Sequence, residues 1–253
     1  MDFMIPPKIH YIWLGGKKKS KLTEICINSW KRVLAGYEII EWNEQNIPLE
    51  QLCKKNKFLE KCIHLKLWAF ASDYLRLYIL YEHGGIYLDT DVEVIKPYTP
   101  LLENQLFMGY EADGFVGTAV IGAEAKNPTI RRILDFYEDE IWNVDFINNP
   151  IIFRYLLEKE PQVFADCRLY PQTYFSPYAP GEVYEGIVEK EETYSIHWYT
   201  QEWNMNRKGY VFINTKHIKS PARKIAVTCR KNIGFIKKKY LQTCTYKSPE
   251  FPA

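Results

Sequence analysis

Gly84-Gly85-Ile86-Tyr87-Leu88-Asp89-Thr90-Asp91 is the stretch on which the reading of this chain turns. Before it, Leu65, Trp68, Ala71, Leu75, Tyr78 and Ile79 recur at helical spacing, which predicts a helix over His64–Glu82 with Gly84 at its end. After the two glycines the pattern becomes that of a strand from Ile86 to Ile95, closed by Pro97 and Pro100. Side chains alternate along a strand, so Tyr87, Asp89, Asp91 and Glu93 are expected on one face and Leu88, Thr90, Val92 and Val94 on the other. Two carboxylates then share the carboxyl end of a buried strand, where open α/β sheets hold their ligands. Such a pair repels itself unless a proton or cation lies between, and oxygen ligands suit a hard ion such as Mg²⁺ or Mn²⁺. In isolation D-x-D also fits a solvated turn. The long helix that delivers it gives the pair its weight.

Working outward, Lys8–Leu14 reads as a strand stopped by Gly15-Gly16, residues 22–34 as a helix, and Tyr37–Trp42 as a second strand. Strand, helix, strand at this spacing is a βαβ unit and predicts an α/β fold with a parallel sheet. Neither G-x-G-x-x-G nor G-x-x-x-x-G-K-[ST] occurs, so any bound phosphates need a holder other than a glycine cradle. A divalent ion bridging a diphosphate at the paired aspartates would serve. Farther along, a strand is expected over Phe115–Ile121 and a helix from Asn127-Pro128 to about Trp142. A helix over Ile151–Glu158 and strands over Arg168–Tyr170 and Tyr194–Tyr199 complete the expectation. Without repeats or low-complexity linkers, the chain divides into one domain, 1–214, and a basic amphipathic helical extension, 215–253.

A hydrophobic fraction of 47% over 253 residues supplies a sizeable core and excludes disorder as the main state. No signal-like segment opens the chain and no apolar run approaches the roughly 20 residues that span a bilayer, so the expected place is the cytosol. Cys26, Cys53, Cys62, Cys167, Cys229 and Cys244 form no C-x-x-C pair, the usage of reduced thiols. The net charge of +2 conceals an asymmetry, for residues 215–247 hold ten Lys or Arg and no Asp or Glu.

Ser72-Asp73-Tyr74-Leu75-Arg76, His83-Gly84-Gly85 and the aspartate stretch together resemble glycosyltransferase family 32, as does Ile5-Pro-Pro-Lys-Ile-His-Tyr-Ile-Trp13. Tyr194-Ser195-Ile196-His197-Trp198 continues the likeness more weakly. This resemblance implies the GT-A fold, a Rossmann-like, mostly parallel sheet flanked by helices. It also implies a metal-dependent retaining transfer of a hexose or N-acetylhexosamine from a nucleotide-sugar, with a UDP-sugar favoured. The acceptor would be a glycan or lipid-linked oligosaccharide of surface polysaccharide synthesis, such as capsule or O-antigen, and the departing phosphate oxygen would take its proton.

By the same resemblance Asp89 and Asp91 hold Mn²⁺ or Mg²⁺ against the donor diphosphate, Asp91 more directly, while Asp89 also reaches the donor. Asp73 would bind sugar hydroxyls and Arg76 lie near the sugar or diphosphate, although residues at i and i+3 also form an ordinary intrahelical ion pair. His10, Tyr11 and Trp13 are expected at the nucleotide, against the alternative of an aromatic core strand, with Gly85 also on the donor side. His197 is the candidate third metal ligand. Relatives carry Ser-Trp a little downstream; here Trp203 follows Glu202, which is an alternative ligand. Asn148-Asn149-Pro150 reads as a helix start near the sugar, an ordinary cap being favoured.

Beyond Pro221, Ile225, Ala226, Cys229, Ile233, Ile236 and Tyr240 fall on one helical face among lysines and arginines. Such a helix suits peripheral contact with anionic lipid on the cytoplasmic face of a bacterial inner membrane, or packing on its own domain. No nucleic-acid-binding module accompanies the charge. Two rival functions remain at this level: a carbohydrate-binding module without catalysis, suggested by 15% aromatic residues, and a metal-dependent phosphoryl or nucleotidyl transferase.

Overall fold

The computed structural model describes residues 4–112, 114–178, 189–200 and 205–242, with side chains through Phe235. Strand β1 (Lys8–Ile12), helix α1 (Lys21–Val33) and strand β2 (Glu38–Trp42) form the expected βαβ unit, with β1 and β2 parallel from Lys8↔Glu38 to Ile12↔Trp42. Ser20 begins α1 by accepting from the Thr23 amide, which answers one of the amides a helix start leaves without a partner. Two short helices, α2 (Leu49–Lys55) and α3 (Lys57–His64), lead to α4 (Trp68–His83), and Gly84 ends α4 in a positive-φ conformation.

The helix predicted over His64–Glu82 is α4, which starts four residues later, at Trp68, because His64 ends α3. Lys66 stands at φ 55°, and Asn206 Nδ2 donates to the Leu65 carbonyl at 2.6 Å, capping the end of α3. The strand predicted over Ile86–Ile95 is divided, into β3 (Gly85–Leu88) and β4 (Val92–Val94). Between them Asp89, Thr90 and Asp91 form a tight turn, with the Val92 amide donating to the Asp89 carbonyl at 3.0 Å. Strand alternation hence does not bring Asp91 to Asp89. The turn does, because β4 leaves the main sheet to pair with β8 (Ser195–His197).

The remaining elements are β5 (Leu106–Ala112), β6 (Phe115–Ala123), α5 (Pro128–Asp135) with a π-helical turn over Phe136–Glu140, α6 (Asn149–Lys159), β7 (Cys167–Tyr170), α7 (Arg207–Thr215) and α8 (Pro221–Gln242). Strand β5 was not expected from the sequence. The main sheet runs β2-β1-β3-β6-β5-β7, and β6 alone is antiparallel to its neighbours. Alternation divides the buried side chains between two cores. Ile9, Ile86, Leu88 and Phe107 face one with Trp30 of α1, whereas Ile12, Tyr87, Leu106 and Met108 face the other with α4 and α5. Tyr87 thus points at α4, and the chain just past it delivers Asp89 to the same side.

Candidate active site

The centre of the site is Arg76, on the face of α4 that meets the sheet. Its Nη1 donates to Asp89 Oδ2 at 3.1 Å and to the Thr118 carbonyl of β6 at 2.6 Å. Its Nη2 lies 3.0 Å from Asp73 Oδ1 and 3.1 Å from Asp89 Oδ1, and the guanidinium stacks over Tyr87, 4.6 Å from the ring centre. The intrahelical pair with Asp73 and the link to the aspartate turn are therefore both present. A planar, permanently charged fork with several donors suits this position between two carboxylates. Its side chain is 6% exposed.

Asp73 is largely buried, and desolvation pushes its carboxyl up to about 6, the Asp89 charge adding to the rise and Arg76 opposing it. Asn149, fully buried at the start of α6, donates through Nδ2 to the Asp73 carbonyl at 3.1 Å and to its Oδ1 at 3.3 Å, and Tyr137 OH donates to Asn149 Oδ1 at 2.7 Å. Asn149 is thus more than a helix start: it orients Asp73. Asp89 accepts from Tyr87 OH at 2.9 Å, while its own amide is tied to the Ala119 carbonyl at 2.8 Å.

Asp91 is held from β8 and the chain beyond it. Its Oδ2 accepts from the Thr200 amide at 3.0 Å and the Thr200 hydroxyl at 2.9 Å, and its carbonyl from the Trp198 amide at 3.0 Å. His197 Nε2 lies 3.4 Å from Asp91 Oδ1. Burial alone would raise the Asp91 carboxyl, but His197 and the two Thr200 donors outweigh it and hold the group below the usual carboxylate range. Burial pulls the His197 imidazole down, and the charges of Asp91, Asp89 and Glu111 more than offset that, so its pKa is raised. Its Nδ1 is buried without a hydrogen-bond partner among the described residues.

Asp89, Asp91 and His197 each present one ligand atom within 4.8 Å of the others. Two carboxylates with an imidazole are a donor set suited to Mn²⁺ or a similar divalent ion, so the residues present fit a metal. Glu111, near the carboxyl end of β5, adds a fourth carboxylate to the neighbourhood. Burial raises its pKa, and it senses the charges of His197, Asp89, Arg76 and Asp73. Gly117 gives it room: a Cβ there would stand 3.1 Å from the Glu111 Cβ. Asp73, Asp89, Asp91 and Glu111 thus face one arginine and one histidine, an excess of negative charge that a cation would relieve.

Glu111, Thr200 and Tyr87 were not singled out in the sequence. An acid following the apolar run Leu106-Phe107-Met108 was the one signal for Glu111.

The aromatic strand separates into different roles. His10 has no exposed surface; its Nε2 is bonded to the Gly84 carbonyl at 2.8 Å, and Trp42 Nε1 donates to its Nδ1 at 3.0 Å. This fixes the neutral tautomer with the proton on Nε2, and burial pushes the pKa down to about 4. With both ring nitrogens engaged, the His10 side chain has nothing to offer a nucleotide, and the expectation is corrected to a core histidine. Gly85 is likewise corrected. At φ 110° a Cβ there would lie 2.8 Å from both the Lys8 carbonyl oxygen and His10 Nε2, so glycine is required for close strand packing at the end of β3 away from the aspartates.

Tyr11 is nearly buried, its ring edge-on to Trp30 at 5.3 Å and its hydroxyl donating to Glu41 Oε2 at 2.6 Å. Trp13 lies just past the carboxyl end of β1, half-buried, with Nε1 donating to the Lys17 carbonyl at 2.7 Å and Lys19 Nζ 5.3 Å from its ring centre. Of His10, Tyr11 and Trp13, Trp13 is the one that is not buried, and it lies past the carboxyl end of β1. Trp203 and Glu202 lie outside the described residues. Cys26, Cys53, Cys62, Cys167 and Cys229 are free thiols.

Comparison with known proteins places this geometry in context. Residues 20–108, which include Asp73, Arg76, Asp89 and Asp91, match the family described as the glycosyltransferase sugar-binding region containing DXD motif. The chain is 24% identical over 160 residues to the human alpha-1,4-N-acetylglucosaminyltransferase, covering 56% of this chain and 45% of that protein. It is 27% identical over 125 residues to inositol phosphoceramide mannosyltransferase 1 of Schizosaccharomyces pombe, covering 45% of this chain and 39% of that one. The chain thus spans less than half the length of these curated relatives. Among solved structures, the UDP-bound glycosyltransferase domain of the YGT toxin superposes with a TM-score of 0.51 at 10% identity, over 94% of this chain and 91% of that one. The mixed, mostly parallel sheet flanked by helices is the GT-A glycosyltransferase fold.

Proposed function

We propose that the chain is a nucleotide-sugar-dependent glycosyltransferase that holds a divalent metal through Asp89, Asp91 and His197. The observation that carries this reading is the convergence of those three groups, within 4.8 Å, on an acid-rich cluster beside the carboxyl end of β3. A bound Mn²⁺ or Mg²⁺ would neutralise the donor diphosphate as it leaves. Around it, Arg76 fixes Asp89 and balances Asp73, and Thr200 fixes Asp91. Asp73, oriented by Asn149, is positioned to accept from hydroxyls of the donor sugar. Trp13 offers its ring to the nucleobase, for which stacking on an indole face suffices.

Transfer breaks the bond between the anomeric carbon and the phosphate oxygen, forms one to the acceptor oxygen, and leaves a nucleoside diphosphate carrying the acceptor's proton. We assign retention at the anomeric carbon, a UDP-linked hexose or N-acetylhexosamine as donor, and a glycan or lipid-linked oligosaccharide of surface polysaccharide as acceptor. The UDP-bound toxin domain supports the nucleotide, and the N-acetylglucosaminyl- and mannosyltransferase names of the relatives support the sugar class. A lipid-linked acceptor would be met at a membrane surface, which we assign to the cytoplasmic face. Helix α8, basic and with Ile225 and Ile233 exposed, supports peripheral contact there.

The test is metal-dependent release of nucleoside diphosphate from a panel of UDP- and GDP-sugars, with wild type set against Asp91→Asn. The variant should be slower by roughly two to three orders of magnitude, the usual cost of removing one group that stabilises developing charge. Equal rates would overturn the assignment, and release of pyrophosphate would make the protein a nucleotidyl transferase.

A further inference from the structure

Away from the carboxylate cluster, α3, α7 and α8 border an open, solvent-facing cavity of about 720 Å³ that includes none of the residues assigned to the transferase site. Lys61, His64, Arg207, Lys208, Lys216 and Lys224 line it, together with the apolar Trp142 and Phe212. Its acidic lining residue is Glu60, already engaged by Lys57 at 3.1 Å. The Lys216 amine is spent on the carbonyls of Ile141 and Val144, and burial lowers its pKa to about 8 against the pull of Asp145. Lys61, Arg207, Lys208 and Lys224 have no acidic partner among the described residues.

Two features make this more than a solvated basic face. Arg207 and Lys208 open α7, and Lys224 lies in the first turn of α8, so cations stand at the positive ends of two helix dipoles, where acidic residues are the favoured choice. Like charges gathered against such ends, around a concave space, are relieved by an anion seated among them. The second feature is α8 itself. Lys224, Thr228 and Asn232 line the cavity along one face of the helix, and the next face carries Ile225 and Ile233, 66% and 58% exposed. A cation-lined cavity bordered by exposed isoleucines matches a lipid whose headgroup is anionic and whose chains are apolar.

We propose that this cavity is a headgroup site for an anionic phospholipid, with the phosphate held by Lys61, Arg207, Lys208 and Lys224 while Ile225 and Ile233 enter the acyl boundary. It deepens the membrane reading of α8 and does not depend on the transferase chemistry. The full chain is floated with vesicles of phosphatidylcholine alone and of phosphatidylcholine with phosphatidylglycerol. Three variants accompany it: Lys61→Glu with Arg207→Glu in the cavity, Ile225→Asp with Ile233→Asp on the stripe, and Lys31→Glu with Arg32→Glu on exposed α1 as a control of equal charge. Wild type should bind the anionic vesicles selectively. The cavity variant should bind at least about 25-fold more weakly, about fivefold for each cation removed, and the control far less so. Far-UV circular dichroism and the thermal melting temperature should be unchanged in all three, showing that they fold.

Equal vesicle binding by wild type and the cavity variant, or equal loss in the control, would overturn the site. Loss confined to the isoleucine variant would do so too, leaving α8 as a membrane contact without a headgroup pocket. Titration with inorganic phosphate supplies the remaining arm: saturable binding without any vesicle binding would overturn the lipid source.

Discussion

The two ends of β3 are built from similar materials to opposite effect. Towards its amino end, Gly84, Gly85, His10 and Trp42 bury polar groups whose hydrogen bonds close on one another. The imidazole gives one nitrogen to a carbonyl and takes an indole proton on the other. Beyond its carboxyl end, Asp73, Asp89, Asp91 and Glu111 crowd round Arg76 and His197, and the imidazole there keeps a buried Nδ1 without a partner among the described residues. His10 is buried and His197 largely so, yet one pKa falls and the other rises. At His10 desolvation wins, while at His197 the neighbouring carboxylates do. A buried polar cluster that is complete serves packing, whereas one that accumulates like charge is arranged around something still to arrive.

Removing Arg76, the one permanent cation at the charged end among the described residues, should have the largest effect. Arg76→Leu leaves Asp73, largely buried, and Asp89, partly buried, without their counter-ion, and the loss of one partner of a buried ion pair costs about 3–5 kcal/mol. Urea unfolding of the metal-free protein measures it. A loss below about 1 kcal/mol would show that Arg76 is not the electrostatic hub its contacts describe.

The complete end predicts a pH dependence of stability. With its pKa near 4 folded and 6.5 unfolded, His10 is more readily protonated in the unfolded chain. Its contribution is fully present above about pH 6.5 and is lost as pH falls towards 4, with no further loss below. The difference is about 3 kcal/mol, and it should appear as a steeper acid decline in wild type than in His10→Asn. Parallel stability curves from pH 7 to 4 would place the imidazole in a less enclosed setting.

The same contrast explains what could be read from the residues. The unit from β1 to β2 rests on local periodicity and glycine stops, and it stands where the sequence puts it. Asp73 and Arg76 share a helical face by spacing alone. The turn at Asp89–Asp91 is decided elsewhere, by β8 pairing Val92 with His197 across more than a hundred residues, and nothing in Asp-Thr-Asp-Val announces it. Strand β5, and Glu111 with it, was hidden because two register irregularities interrupt its alternation. His10 looked like a ligand because its partners, an indole and a backbone carbonyl, come from distant segments.

The smallest expected effect tests whether the charged end is tuned as well as charged. Tyr87 gives its hydroxyl to Asp89 and its ring to Arg76, so Tyr87→Phe deletes the hydrogen bond and keeps the stacking. An outer-shell donor of this kind contributes about tenfold to metal affinity through the carboxylate it orients. The concentration of Mn²⁺ giving half-maximal donor hydrolysis should therefore rise about tenfold, while the rate at saturating Mn²⁺ changes little. If the saturated rate fell instead and the metal dependence stayed put, Asp89 would be acting on the donor sugar and leaving the ion to Asp91 and His197.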